Sequence, residues 1–225
     1  MNELVHSKRA RGTAPARKET GRTNDPERTQ ANILEVAEIE FGEKGLAGAR
    51  IDEIAAATRT SKRMIYYYFG GKEGLYLAVL EEAYSSIRRT EATLDLERLP
   101  PEKALSTLVA FTFDYQNAHP EFVRLVMNEN ILDGVHMARS RTIGRLNNAV
   151  IDVLQDLLAR GRRAGVFRRD LDALEVHMTI SALCVFNVAN RATFSTIFKR
   201  DMASSKALAA RRAQVVDIVL SYVKC

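Results

Sequence analysis

Large apolar side chains recur at three- and four-residue spacing along most of this chain, a period that belongs to helices. Asp25-Pro26 offers a capping carboxylate and a first-turn proline. Ile33, Ala37 and Phe41 then fall at i, i+4 and i+8, with Leu34 alongside and a stop at Gly45. Ile51, Ile54, Ala55 and Thr58 form a second stripe on a helix of barely two turns. Ser61 can cap a third short helix that buries Ile65, Phe69 and part of Tyr68, and Gly70-Gly71 ends it. From Lys72 a longer helix runs through Leu75, Val79, Leu80, Tyr84 and Ile87.

The remainder repeats the pattern. Pro100-Pro101 opens a helix with Leu105, Leu108, Val109 and Phe113 on one side, and His119-Pro120 breaks the chain before Phe122, Leu125, Val126 and Met127. After Gly134, Ile143, Leu146, Val150, Leu154, Leu157 and Leu158 mark a long amphipathic helix closed by Gly165. Asp170 to Phe198 reads as one strongly apolar helix, and Val215 to Val223 completes the last. No hairpin dipeptide, useful period-2 run or internal repeat intervenes. The expectation is an all-α chain of about nine helices.

Composition refines this. With 225 residues, 46% apolar and 27% charged, the chain can bury a core. No run approaches the roughly 18 apolar residues that span a bilayer, and MNELVHSKRARG lacks a signal-peptide core, so a cytoplasmic protein without a membrane partner is expected. Cys184 lies in an apolar segment and Cys225 is terminal, which suggests neither a disulfide framework nor a CxxC metal site. Residues 1–24 carry Lys8, Arg9, Arg11, Arg17, Lys18 and Arg22 with few large apolar side chains, so they read as a flexible basic arm.

The net charge of +5 is mild, but its distribution is uneven. From Ile54 to Lys72 there is no acidic residue, while Arg59, Lys62, Arg63 and Lys72 are positive and flank the consecutive Tyr66, Tyr67 and Tyr68. Consecutive helical side chains diverge by about 100°, so three rings cannot all face one core. Two short helices joined by Arg59-Thr60-Ser61 have the layout of a helix-turn-helix, whose second helix enters a major groove while its flanks hold phosphates. Lys62 and Arg63 oppose the helix dipole in the first turn, a placement that phosphates or bases would explain. Tyr66 and Tyr67 can donate phenolic hydrogen bonds to phosphate, and Lys72 opens the next helix beside its free N–H groups.

At this point the chain resembles the TetR-type bacterial transcriptional regulators. The resemblance rests on Ile54-Ala55, Ser61, Ile65-Tyr66-Tyr67-Tyr68-Phe69 and Lys72-Glu73-Gly74-Leu75, preceded by ILEVAEIEFGEKG. It implies a helix-turn-helix domain over residues 25–71 and an effector-binding and dimerisation domain over residues 72–225. It also implies a double-stranded operator held by Lys62, Tyr66, Tyr67 and Lys72 on phosphates, with Arg63 and neighbouring Met64 facing bases. Ser61 sits in the same contact region. Two departures stand out: Thr58-Arg59-Thr60 replaces the family's Ala-Gly-Val turn, and Arg50 stands where a hydroxyl cap is usual, adding a phosphate contact.

The resemblance further implies a homodimer packed through the last two helices, here Leu171 to Phe198 and Ser205 to Val223, and a small-molecule effector among the middle helices. Polar groups embedded in apolar stretches are the clues to that site, with Asn117, Asn130 and Asn187 as polar candidates and Phe113, Met127, Met178 and Phe186 as walls. A small, largely apolar effector that releases a repressor is expected.

The alternatives are a helical enzyme or metal-binding protein and a non-specific nucleic-acid-binding module. His177 and Cys184 share a helical face but lie two turns apart, beyond hydrogen-bond reach for a base and its nucleophile. Glu129, Asp133 and His136 fall at i, i+4 and i+7 and could align three metal ligands, although Gly134 interrupts their helix and a solvated face explains them more simply. The basic run ARGRRAGVFRRD closes a helix C-terminus, where cations are favoured. Catalytic residues, metal and cofactor are all expected to be absent.

Overall fold

The computed structural model describes residues 25–225, so the predicted arm lies outside the described residues. Ten α-helices make up the described chain: α1 Pro26–Gly48, α2 Ile51–Ala57, α3 Lys62–Phe69, α4 Lys72–Ala92, α5 Pro101–Ala118, α6 Pro120–Ile131, α7 Arg141–Arg163, α8 Ala173–Ala189, α9 Arg191–Ile197 and α10 Ser205–Val223. The only β pairing among the described residues is an isolated bridge between Phe167 and Lys224.

The caps follow the sequence signals. Asp25 Oδ1 accepts from the Glu27 and Arg28 N–H groups, and Ser61 Oγ from that of Met64 at 3.3 Å. Gly45, at φ +65°, interrupts α1 where a stop was expected, and the chain regains one helical turn to Gly48. Gly70, at φ +73°, closes α3 in the left-handed conformation that favours glycine.

The single helix expected from Asp170 to Phe198 is two helices, α8 and α9, bent by 60°. The break falls at Asn190, whose backbone N–H and side-chain Nδ2 both turn back to the Phe186 carbonyl. An asparagine side chain competes with the helical ladder in this way. Asn187 and Arg191 both reach Asn117 on α5 and anchor the two sides of the bend. Among the described residues no single helix is long and apolar enough to cross a membrane.

Two apolar cores hold the bundle. The first gathers Ile33 and Phe41 of α1, Ile54 of α2, Ile65 of α3 and Leu75 and Tyr76 of α4 with Leu125 of α6. The three N-terminal helices therefore share their core with α6. The second joins Leu105 and Phe113 of α5, Leu154 and Leu157 of α7, Val176 and Ile180 of α8, and Val215 and Val219 of α10. Gly161 on α7 lets the Phe167 ring approach so closely that an added Cβ would lie 1.9 Å from it.

Candidate nucleic-acid interface and internal cavity

Ile65 is fully buried and fixes the inner face of α3, which rotates Arg63, Tyr66 and Tyr67 outward. Tyr66 is 53% exposed and Tyr67 77%, whereas Tyr68 and Phe69 are half-buried and meet each other edge-on at 6.2 Å. Ring burial favours the inner positions by roughly 1.5–3 kcal/mol each, so leaving Tyr66 and Tyr67 in water forgoes a large stabilisation.

The basic groups around them are partly occupied. Lys62 Nζ lies 2.6 Å from Asp52 Oδ1 on α2, and Arg50 extends toward the same carboxylate at 3.8 Å. That partnership holds the Asp52 carboxyl below its ordinary value. Lys72 Nζ donates to the Ala47 carbonyl at 3.1 Å and ties the start of α4 to the end of α1. Arg63 makes no ion pair among the described residues. Asp52 lies just before the acid-free stretch from Ile54 to Lys72, and the ion pair forms across the two helices.

A cavity of about 390 Å³ lies among α4, α5, α6, α7 and α8. Ile87, Phe122, Val126, Met127, Met178 and Val185 supply much of its apolar wall. Its polar side is built by Arg88 and Glu91 of α4, Gln116 of α5, Asn130 of α6, Asn147 of α7 and His177 of α8. Arg88 and Glu91 form an ion pair one helical turn apart. A second hollow, of about 800 Å³, opens between α8, α9 and α10 beside Phe186, Phe194 and Phe198.

The family model for "Bacterial regulatory proteins, tetR family" matches residues 33–79, and that for "Tetracyclin repressor-like, C-terminal domain" matches residues 101–219. The chain is 38% identical over 204 residues to the HTH-type transcriptional repressor NicS of Pseudomonas putida, covering 91% of this chain and 96% of that protein. It belongs to the tetR family. A second relative, the HTH-type transcriptional repressor SCO4008 of Streptomyces coelicolor, is 38% identical over 107 residues, which is 48% of this chain and 52% of that protein. The crystal structure of the putative transcriptional regulator SCO4942 from the same organism superposes with a TM-score of 0.65 at 27% identity, covering 87% of this chain and 98% of that one.

As a tetR-family member the chain is a DNA-binding transcriptional regulator, and the predicted effector residues distribute unevenly over it. Met127, Asn130 and Met178 line the cavity. Phe186 and Asn187 border the α8–α10 hollow instead, Phe113 is packed in the second core, and Asn117 serves the Asn187–Arg191 network. Sequence reasoning missed Arg88, Glu91 and Gln116. In sequence Arg88, Glu91 and Gln116 carry no mark that separates them from side chains facing water.

Of the alternative metal cluster, Glu129 and His136 come together, with His136 Nδ1 3.3 Å from Glu129 Oε2, but Asp133 does not join them in a three-ligand group among the described residues. The Glu129 carboxylate is buried and accepts the backbone N–H groups of His136 at 2.6 Å and Met137 at 2.9 Å, organising the turn before α7. Asp133 is exposed in that turn at φ +56°. Cys184 is fully buried, and burial pushes its thiol up to about 12, which withholds the thiolate that nucleophilic work requires. Within the basic run, Arg160 donates to the Leu96 and Leu99 carbonyls and so fastens the chain before α5 to α7.

Proposed function

We propose that the protein is a homodimeric cytoplasmic repressor that leaves a pseudo-palindromic operator when a small molecule fills the cavity between α4 and α8. One observation carries this reading: a single helix, α4, begins at Lys72 beside the exposed face of α3 and later contributes Ile87, Arg88 and Glu91 to the cavity wall. A helix of 21 residues extends about 30 Å, so a tilt induced at the cavity displaces α3 against its groove. In support, NicS and SCO4008 are both named as transcriptional repressors.

In this reading Arg50, Ser61, Lys62, Tyr66, Tyr67 and Lys72 address phosphates, and Arg63, with Met64 beside it, faces base edges. Two copies joined through α8 and α10 set their recognition helices about 34–36 Å apart, one turn of duplex. The effector favours the DNA-free state by its differential affinity for the two arrangements, typically about 1–3 kcal/mol. Selection of the purified protein against random duplex DNA tests the reading. An enriched inverted repeat is expected. Retention without sequence preference, abolished by salt, would leave only a non-specific nucleic-acid-binding module.

A further inference from the structure

The cavity wall contains polar atoms that the protein itself leaves unsatisfied. Arg88 Nε and Gln116 Oε1 are both buried without a hydrogen-bond partner, and both side chains line the cavity. A buried polar atom left without a partner is destabilising, and two on the wall of one cavity concentrate that cost where a ligand can relieve it. A carboxamide turns about its last torsion at little cost, so Gln116 can present either its oxygen or its N–H₂ to an occupant.

The charges nearby are balanced. Arg88 is already paired with Glu91, and among the described residues these two are the only formally charged side chains on the lining. Burial and the Arg88 charge lower the affinity of His177 for a proton, which keeps the imidazole neutral at pH 7. An anionic ligand would compete with Glu91 for Arg88 and meet its carboxylate, while a cation would meet the guanidinium. The remaining wall is mainly aliphatic and aromatic, with Thr112, Asn130, Asn147 and Ser181 as its uncharged polar members, and the volume of about 390 Å³ sits at the small end of ligand sites.

We propose that the cavity takes an uncharged molecule with an apolar body and one compact hydrogen-bonding head, an acceptor adjacent to a donor as on a carboxamide or lactam edge. The acceptor meets the Arg88 N–H and the donor meets the Gln116 carboxamide oxygen. The regulatory consequence of this binding rests on the reading of the cavity as the effector site; the binding itself does not.

The test uses the full chain and three probes of one shape: benzamide, benzoate and isopropylbenzene. Binding is followed by calorimetry and thermal shift, and operator release is followed separately. Benzamide is expected to bind roughly tenfold more tightly than either analogue, the size of one well-made polar contact. Gln116→Met is expected to erase that preference and to improve the relative binding of isopropylbenzene. Tighter binding of benzoate, or equal binding of isopropylbenzene, on the unmodified protein overturns the proposal without recourse to a variant. Preferential benzamide binding that leaves operator affinity unchanged supports the ligand class and removes the switch instead.

Discussion

Arg59 occupies φ +52°, a left-handed backbone that costs a residue with a Cβ about 1–2 kcal/mol. The position is imposed by the end of α2, where Arg59 N–H bonds to the Ala56 carbonyl and Thr60 N–H to the Ala55 carbonyl, the paired bonds of a Schellman cap. Glycine is the usual occupant of that site. Arg59→Gly should therefore stabilise the fold by about 0.5–1 kcal/mol after the extra entropy of the unfolded chain is deducted, read as a melting point about 2–4 °C higher per kcal/mol. An unchanged or lower melting point would show that the arginine makes a compensating contact. The substitution of arginine for the family's turn glycine is visible in the sequence, but the strain it carries is not, because φ depends on how the cap closes. The Lys62–Asp52 pair at 2.6 Å was hidden for a related reason: it joins two helices whose relative placement the sequence does not state. That pair sharpens the expectation for DNA. Asp52→Asn should free Lys62, remove a carboxylate from the face proposed to meet phosphates, and tighten binding to every duplex. Lys62→Ala should weaken all duplexes about equally and flatten the log–log salt slope by about one unit. Arg63→Ala should instead relax preference at one base pair by about 1–3 kcal/mol. Filter binding across a salt series on matched and mutated duplexes separates them, and indistinguishable profiles for Lys62 and Arg63 variants would end the division of roles.

Between elements, the joint of α1 with α4 and α6 carries an excess of negative charge. Burial pushes the Glu38 carboxyl up to about 7 from an ordinary 4.5, with Glu121 on α6, Glu82 on α4 and Glu35 on α1 adding repulsion. His119 and Tyr115 border the same groove, and His119 Nδ1 lies 3.2 Å from Glu121. A carboxyl raised in the folded state holds a proton there that the unfolded chain has already released. This contribution to stability is thus full below about 4.5 and is lost as pH rises toward about 7. Glu38→Gln should flatten that decline, raising the melting temperature more at pH 8 than at pH 5. A gain equal at both pH values would assign the effect to packing alone. The same scale shows where helical periodicity suffices. Asp25, Ser61 and Gly70 cap as their residue types predict, since caps are local chemistry. The break at Asn190 escaped because it is set jointly by the Phe186 carbonyl and by Asn117, on a helix far away in the chain. The cavity was legible only in part: Met127, Asn130 and Met178 line it as expected, but its polar side combines five helices, and neither Arg88 nor Gln116 differs in sequence from a residue facing water.

On the scale of the molecule, many of the exposed large apolar side chains among the described residues lie on the C-terminal helices. Leu174 and Met178 on α8, and Ile218 and Tyr222 on α10, form exposed i, i+4 pairs on two helices that pack against each other. Phe186 and Phe194 meet edge-on with ring centroids 5.1 Å apart, and Phe198 continues the row beside the bend, tilted against Phe194 at 5.2 Å. Side chains of this size are seldom left in water together unless a second surface covers them, and the proposed two-fold bundle of α8 and α10 would do so. A C2 contact meets itself, so one substitution acts twice. Ile218→Glu would set two carboxylates into the interface, and a buried unpaired charge costs about 3–5 kcal/mol. The variant should sediment as a monomer at concentrations where the unmodified protein is a dimer, with an unaltered helical circular dichroism spectrum because Ile218 is outside both cores. It should also keep weak, salt-sensitive attachment to any duplex while losing its preference for an inverted repeat, because spacing between two recognition helices exists only in the pair. A variant that stays dimeric would move the interface elsewhere, and a monomer that still selects the repeat would detach operator recognition from dimerisation.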